Sequence, residues 1–206
     1  MTLAGVKVTL RETSDYPWSG EVSIAIDPEA PVAFDLKLRI PGWAKGATAA
    51  VNGETIALAP ANGYATIRRQ WRKGDKVTLD LKMLPERLYA HPNVRMDVGR
   101  AALRRGPMIY CVEEADNPGG SVQTLTLPRD VAIEPERRED LLGGIVTLTT
   151  TAMRLLSAPD SPLYAPSPPA LQDVKLTALP YFLWANREAG SMQVWLAESA
   201  DPVPTQ

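Results

Sequence analysis

Val22-Ser-Ile-Ala-Ile26 and Phe34-Asp-Leu-Lys-Leu-Arg-Ile40 alternate apolar residues with polar or small ones along their whole length. A period of two puts Val22, Ile24 and Ile26 on one face of an extended chain, and Phe34, Leu36, Leu38 and Ile40 likewise. A helix would scatter the same residues around its circumference, so each stretch reads as a strand with one buried face. Upstream, Val6-Lys-Val-Thr-Leu10 keeps the same rhythm. Downstream, Ala49-Ala-Val51 meets Asn52-Gly53, which both tolerate positive φ and predict a type I′ hairpin returning through Thr55-Ile-Ala-Leu58. Tyr64-Ala-Thr-Ile-Arg68 follows Asn62-Gly63, and Lys76-Val-Thr-Leu-Asp-Leu-Lys82 follows the turn at Lys73-Gly74-Asp75. About seven strands within ~80 residues, with no sustained 3.6-residue period, predict a sandwich that ends near Leu84-Pro85.

The second half is patterned less regularly. Arg100-Ala-Ala-Leu-Arg104 and Met108-Ile-Tyr-Cys-Val112 flank Arg105-Gly106-Pro107 and read as strand, turn, strand. Leu125-Thr-Leu127 and Gly144-Ile-Val-Thr-Leu-Thr-Thr150 are further strands. Pro159, Pro162, Pro166, Pro168 and Pro169 mark a loop, because proline has no N–H to give a central sheet. Leu179 to Trp184 and Met192-Gln-Val-Trp-Leu196 read as a closing pair of strands. The expected fold is all-β: two β-sandwich, jelly-roll-like domains in tandem over 1–88 and 89–198, with a flexible tail at 199–206.

Composition sets outer limits. Hydrophobic residues make up 45% of the 206, enough for real cores, so disorder is not the expectation. Residues 1–88 carry 12 basic and 10 acidic side chains and the remainder 10 and 14, so neither half has the positive charge that phosphate backbones require. No nucleic acid partner is expected. Nor is a membrane partner, since no apolar run approaches ~20 residues. The first residues, Met1-Thr-Leu-Ala-Gly-Val-Lys7, lack the apolar core of a signal peptide, which leaves localisation open. One cysteine, Cys111, and one histidine, His91, are too few for a Cys/His zinc site or an intrachain disulfide.

An ordered set of motifs resembles the C-terminal region of glycoside hydrolase family 127, the β-L-arabinofuranosidase family. It runs from Glu12-Thr-Ser-Asp-Tyr-Pro-Trp18 and Gly20 through Leu38-Arg-Ile-Pro-Gly-Trp43, Val51-Asn-Gly-Glu54, Gly63-Tyr64 and Trp71 with Gly74-Asp75. It continues through Ala90-His-Pro92, Gly99-Arg-Ala-Ala-Leu-Arg-Arg-Gly-Pro107, Tyr110 and Glu113 to Pro180-Tyr181, Trp184-Ala-Asn-Arg187, Met192 and Val194-Trp195. The resemblance implies a helical (α/α)-barrel catalytic domain followed by β-sandwich domains. It also implies that the chemistry, a zinc-bound set of a glutamate and cysteines, belongs to the barrel. No position here matches that set, so the family's catalytic residues would lie before Met1, and the chain is expected to begin within its first sandwich. No catalytic residue, metal site or cofactor is expected in this chain; zinc is implied for the barrel alone.

Several residues still invite a functional reading. Trp18, Trp43 and Trp184 are candidate carbohydrate contacts, because an aromatic face suits the C–H face of a sugar. Burial in a core or domain interface is the competing expectation for these and for Trp71 and Trp195. Glu113 and Glu114, with Asp116, are the nearest thing to a carboxylate pair, but adjacent strand residues point to opposite faces, so a solvated strand end is expected. Cys111 reads as a buried strand residue. His91, held extended by Pro92, reads as packed or hydrogen-bonded near the domain junction. Arg104 and Arg105 read as a charged hairpin against a neighbouring domain. Three hypotheses follow: an accessory region bracing a helical barrel, supplied in cis or in trans; a binding module for arabinose-containing glycans; and a stand-alone enzyme built on Glu113 and Glu114.

Overall fold

A computed structural model of the chain describes residues 1–158 and 160–199. Pro159 of the proline-dense loop, and all of the expected tail beyond Ser199, lie outside the described residues. The chain is all-β and divides into two compact units that part between Leu84 and Pro85.

The first unit contains β1 (Thr2–Leu3), β2 (Val6–Ser14), β3 (Glu21–Pro28), β4 (Val32–Arg39), β5 (Thr48–Val51), β6 (Glu54–Ile56), β7 (Tyr64–Trp71) and β8 (Asp75–Asp80). Six strands form one sheet in the order β1-β2-β3-β8-β5-β6, and β4 and β7 form a second, two-stranded sheet. The alternating faces meet between them: Ile24, Ile26, Val77 and Val51 from one sheet pack with Leu36, Leu38, Ile67 and Trp71 from the other. Trp71 is fully buried, donates its indole N–H to Phe34 O at 3.0 Å and lies 5.6 Å from the Phe34 ring. Asn52 and Gly53 adopt φ of 53° and 87°, as a type I′ turn demands, and Val51 pairs with Glu54 across it. Asp75 locks the neighbouring β7–β8 turn: its carboxylate accepts from Arg72 N–H and from the Asn52 amide, both at 2.8 Å.

The second unit contains β9 (Pro85–Leu88), β10 (Arg100–Arg105), β11 (Met108–Glu113), β12 (Leu125–Pro128), β13 (Glu134–Arg138), β14 (Ile145–Leu156), β15 (Ala170–Pro180), β16 (Met192–Gln193) and β17 (Leu196–Ser199). The pairings close a ring, β10-β11-β15-β14-β12-β17 and back to β10, with β9, β13 and β16 added at its margins. Closure removes the free edges that an open sheet would leave. Leu103, Tyr110, Leu125, Leu148, Leu176 and Leu196 fill the interior, and Tyr110 donates its hydroxyl to Val146 O at 3.0 Å.

Three sequence expectations need correction here. Pro85–Leu88, assigned to the first domain, pairs with β10 in the second unit. The stretch Leu179 to Trp184 is not a strand paired with Met192–Leu196. The strand is Ala170–Pro180, which pairs with β14, and the chain leaves it through a single 3-10 turn at Tyr181–Leu183. Met192–Gln193 pairs with β11, while Leu196–Ser199 pairs with β10 and β12.

Candidate functional site

β11 ends at Glu113, and a 3-10 turn over Glu114–Asp116 bends the chain away from the ladder. Asn117, 2% exposed, fixes that bend from inside. Its side-chain amide donates to Glu113 O at 2.8 Å and Thr177 O at 2.9 Å, and its oxygen accepts from Thr177 N–H at 2.9 Å. The side chain thereby substitutes for a strand neighbour at both ends of one β15 residue. Below it, buried Arg154 donates to the carbonyls of Asn117, Pro118 and Gly120, so the turn is held by a cation as well as an amide.

Onto this bend folds the loop that follows β15. Arg187 donates to Asp116 Oδ1 at 2.7 Å and Oδ2 at 2.5 Å, and to Glu113 Oε2 at 2.6 Å. Its hydrogen bonds to Asp116 and Glu113, working against desolvation, hold the guanidinium's pKa above its ordinary value. Glu113 Oε1 accepts from Ala185 N–H at 3.0 Å. Glu114 turns elsewhere: its Oε2 accepts from Ser191 N–H and Oγ–H at 3.0 and 2.7 Å, which lowers its pKa. Glu113 is therefore buried and ion-paired, which corrects the solvated strand end expected from sequence. The physical reason is the 3-10 bend, which brings Asp116 beside Glu113 around one guanidinium. Glu113 and Glu114 take different partners, the one Arg187 and the other Ser191.

Between these groups lies a cleft of 310 Å³ lined by Glu113, Glu114, Trp184, Arg187, Gly190 and Ser191, among others. Trp184, 44% exposed, forms one wall and lies parallel to Tyr181, with centroids 6.1 Å apart and planes at 7°. Trp18 and Trp43 belong to the first unit and are both half-buried, Trp43 against its core. Trp184 is thus the most open of the three candidate tryptophans, and its ring partner is Tyr181 rather than another tryptophan. Asn117 and Arg154 carried no sequence signal, since a buried polar residue in a turn looks like a surface one. Arg187 stood only within the family motif.

Cys111 is buried in β11, and desolvation, with Glu113 and Asp116 nearby, pushes its thiol up to about 12. A thiol so held is neither nucleophile nor ready metal ligand. His91 is exposed, its Nδ1 accepting from Asn93 N–H at 3.2 Å in a local turn, so it is hydrogen-bonded rather than packed. Arg104 pairs with Glu86 directly across the β9–β10 ladder, within its own unit. Among the described residues no group of three or more His, Cys, Asp or Glu side chains is placed to hold a metal ion. A second buried carboxylate, Glu198, accepts from Arg87 at 3.0 Å, Tyr89 at 2.8 Å and Arg129 at 2.7 Å. Burial opposes ionisation there, but the three donors outweigh it and lower the pKa.

Residues 1–83 match the family model for the Beta-L-arabinofuranosidase, GH127 middle domain, and residues 85–197 match the Glycoside hydrolase family 127 C-terminal domain. The chain belongs to glycoside hydrolase family 127. It is 33% identical over 199 residues to a non-reducing end β-L-arabinofuranosidase of Bifidobacterium longum subsp. longum, covering 91% of this chain and 30% of that protein. A crystal structure of a GH127 β-L-arabinofuranosidase from Geobacillus stearothermophilus T6 superposes with a TM-score of 0.91 at 42% identity, covering 97% of this chain and 32% of that one. A second GH127 β-arabinofuranosidase structure gives 0.85 at 33% identity, with 97% and 33% covered. The family 127 chain thus spans about a third of the length of these relatives.

Proposed function

We propose that this chain is the accessory β region of a β-L-arabinofuranosidase: it covers and braces a helical (α/α)-barrel catalytic domain, in cis or in trans, and does no hydrolysis itself. The observation that carries the reading is the state of its acidic groups. A glycosidase needs two carboxyls facing each other across a sugar at ~5–10 Å. Here Glu113 and Asp116 both give their oxygens to Arg187, and Glu114 gives its own to Ser191. None of these three carboxyls is left without a partner in the fold, and the cleft's remaining carboxylate, Glu188, is exposed on the loop. The family relation supports the same reading, because the relatives are about three times longer and carry the arabinofuranosidase name as whole proteins.

The test is complementation. The Geobacillus relative, trimmed of the third that matches this chain, is purified alone and together with the 206-residue chain. The expected result is a complex that co-elutes and unfolds at a higher temperature than the trimmed enzyme alone. A trimmed enzyme that is equally stable and active without any β region would overturn the bracing role.

A further inference from the structure

We propose that Tyr181 and Trp184 form a stacking shelf for a neutral saccharide, whose hydroxyl groups are taken by Glu113, Glu114, Arg187 and Ser191 in the adjoining cleft. The inference goes beyond the accessory role and does not rest on it. It begins with an exposure that folding would ordinarily remove. An aromatic side chain can bury about 150–250 Å², yet Tyr181, Phe182 and Trp184 together stay open on one short turn.

That turn is rigidly supported. Trp184 N–H donates to Tyr181 O at 3.0 Å, the Asn186 amide donates to Leu183 O at 2.9 Å, and Ala185, at φ 61°, gives its N–H to Glu113. Arg187 then ties the loop to β11 through Glu113 and to the following bend through Asp116. A ligand meeting this surface has little loop ordering left to drive, which is how a weak stacking contact becomes measurable binding.

The chemistry of the cleft selects the ligand. Parallel rings with centroids 6.1 Å apart are offset, so each leaves part of a face for an apolar C–H surface. The polar wall offers acceptors and donors together: the carboxylates of Glu113, Glu114 and Glu188, a guanidinium and a hydroxyl. Arg187 is shared between Glu113 and Asp116, and Glu114, bonded to Ser191, keeps its charge, so the wall is net acidic: it repels anions and offers carboxylate oxygens to hydroxyl groups. Apolar faces edged with hydroxyl groups are what a neutral sugar presents.

The test is calorimetric titration of the 206-residue chain with arabinopentaose, with cellopentaose, and with a galacturonic acid pentamer as the anionic comparison. Saturable binding of a neutral sugar is expected, with no binding of the anionic one. W184A should weaken binding about tenfold or more, while W184F, which keeps a ring, should stay within about threefold. If W184A fails to fold, the indole N–H resonance of Trp184, assigned by its loss in W184F, supplies the reading: it should shift as neutral sugar is added to the wild type. Absence of saturable binding up to about 10 mM sugar overturns the proposal, as does an affinity indifferent to W184A. Preference for the anionic pentamer would also overturn it.

Discussion

Replacing Asn117 with alanine should destabilise the second unit by about 3–5 kcal/mol. The side chain is 2% exposed and makes three hydrogen bonds, to Glu113 O, Thr177 O and Thr177 N–H, all between 2.8 and 2.9 Å. N117A leaves three backbone groups without partners, each worth about 1–3 kcal/mol when buried. The three lie together, so one entering water can serve more than one of them, which places the total below the sum. For a domain of this size a kilocalorie shifts the melting temperature by about 4 °C, so the transition should fall by roughly 10–20 °C. N117D gives a second reading with its own sign. The introduced carboxyl keeps the bond from Thr177 N–H but faces two carbonyl oxygens, which raises its folded pKa above its unfolded one. Its stability should therefore be fullest below about pH 4 and decline as pH rises through the folded value. The assay is urea unfolding followed by circular dichroism, with hydrogen exchange of the β11 and β15 amides separating the second unit from the first. A loss under about 0.5 kcal/mol for N117A, or equal stability of N117D across pH 4–8, would refute the bridging role of the side chain.

Trp71→Ala should destabilise the first unit by about 3–5 kcal/mol, and Trp71→Phe by less, because the ring fills the space between the two sheets and its N–H bonds Phe34 O; urea midpoints measure both. Cys111, buried and with its thiol pushed up to about 12, should resist iodoacetamide at pH 8 in the native chain and react once urea unfolds it, as mass spectrometry reads directly. Asp75 has a folded pKa below its unfolded value because the hydrogen bonds from the Asn52 amide and Arg72 N–H outweigh the opposing burial. Its contribution is complete above about pH 4 and is lost as pH falls through the folded pKa. D75N should flatten the acid limb of the first unit's melting temperature between about pH 4 and 2.

The first unit was legible in sequence because each strand buries one face only. Ile24, Ile26, Leu36 and Leu38 face inward while Asp35, Lys37 and Arg39 face outward, so period two is written plainly. The closed ring of the second unit blurs that signal. β14 is buried on both faces through Ile145, Val146, Thr147 and Leu148, and then ends in exposed Leu155 and Leu156. β13, Glu134–Arg138, is charged and contains Pro135, so it lacks the apolar alternation that marks a strand; at the margin of the sheet it can hold both. The first half of β15 alternates weakly because its residues are exposed where the β14–β15 hairpin runs past the ring. The aromatic shelf was half legible. Trp184 stood out as a candidate carbohydrate contact at the end of an expected strand, but only the fold sets it parallel to Tyr181 and places Arg187 between Glu113 and Asp116.

The central claim, that the chemistry of this family 127 region lies elsewhere, is tested most directly by arabinose release from a β-L-arabinofuranosyl substrate by the 206-residue chain with zinc and reductant present. Release indistinguishable from the buffer rate is expected at every enzyme concentration. Turnover proportional to chain concentration, surviving repurification and abolished by E113Q, would contradict it.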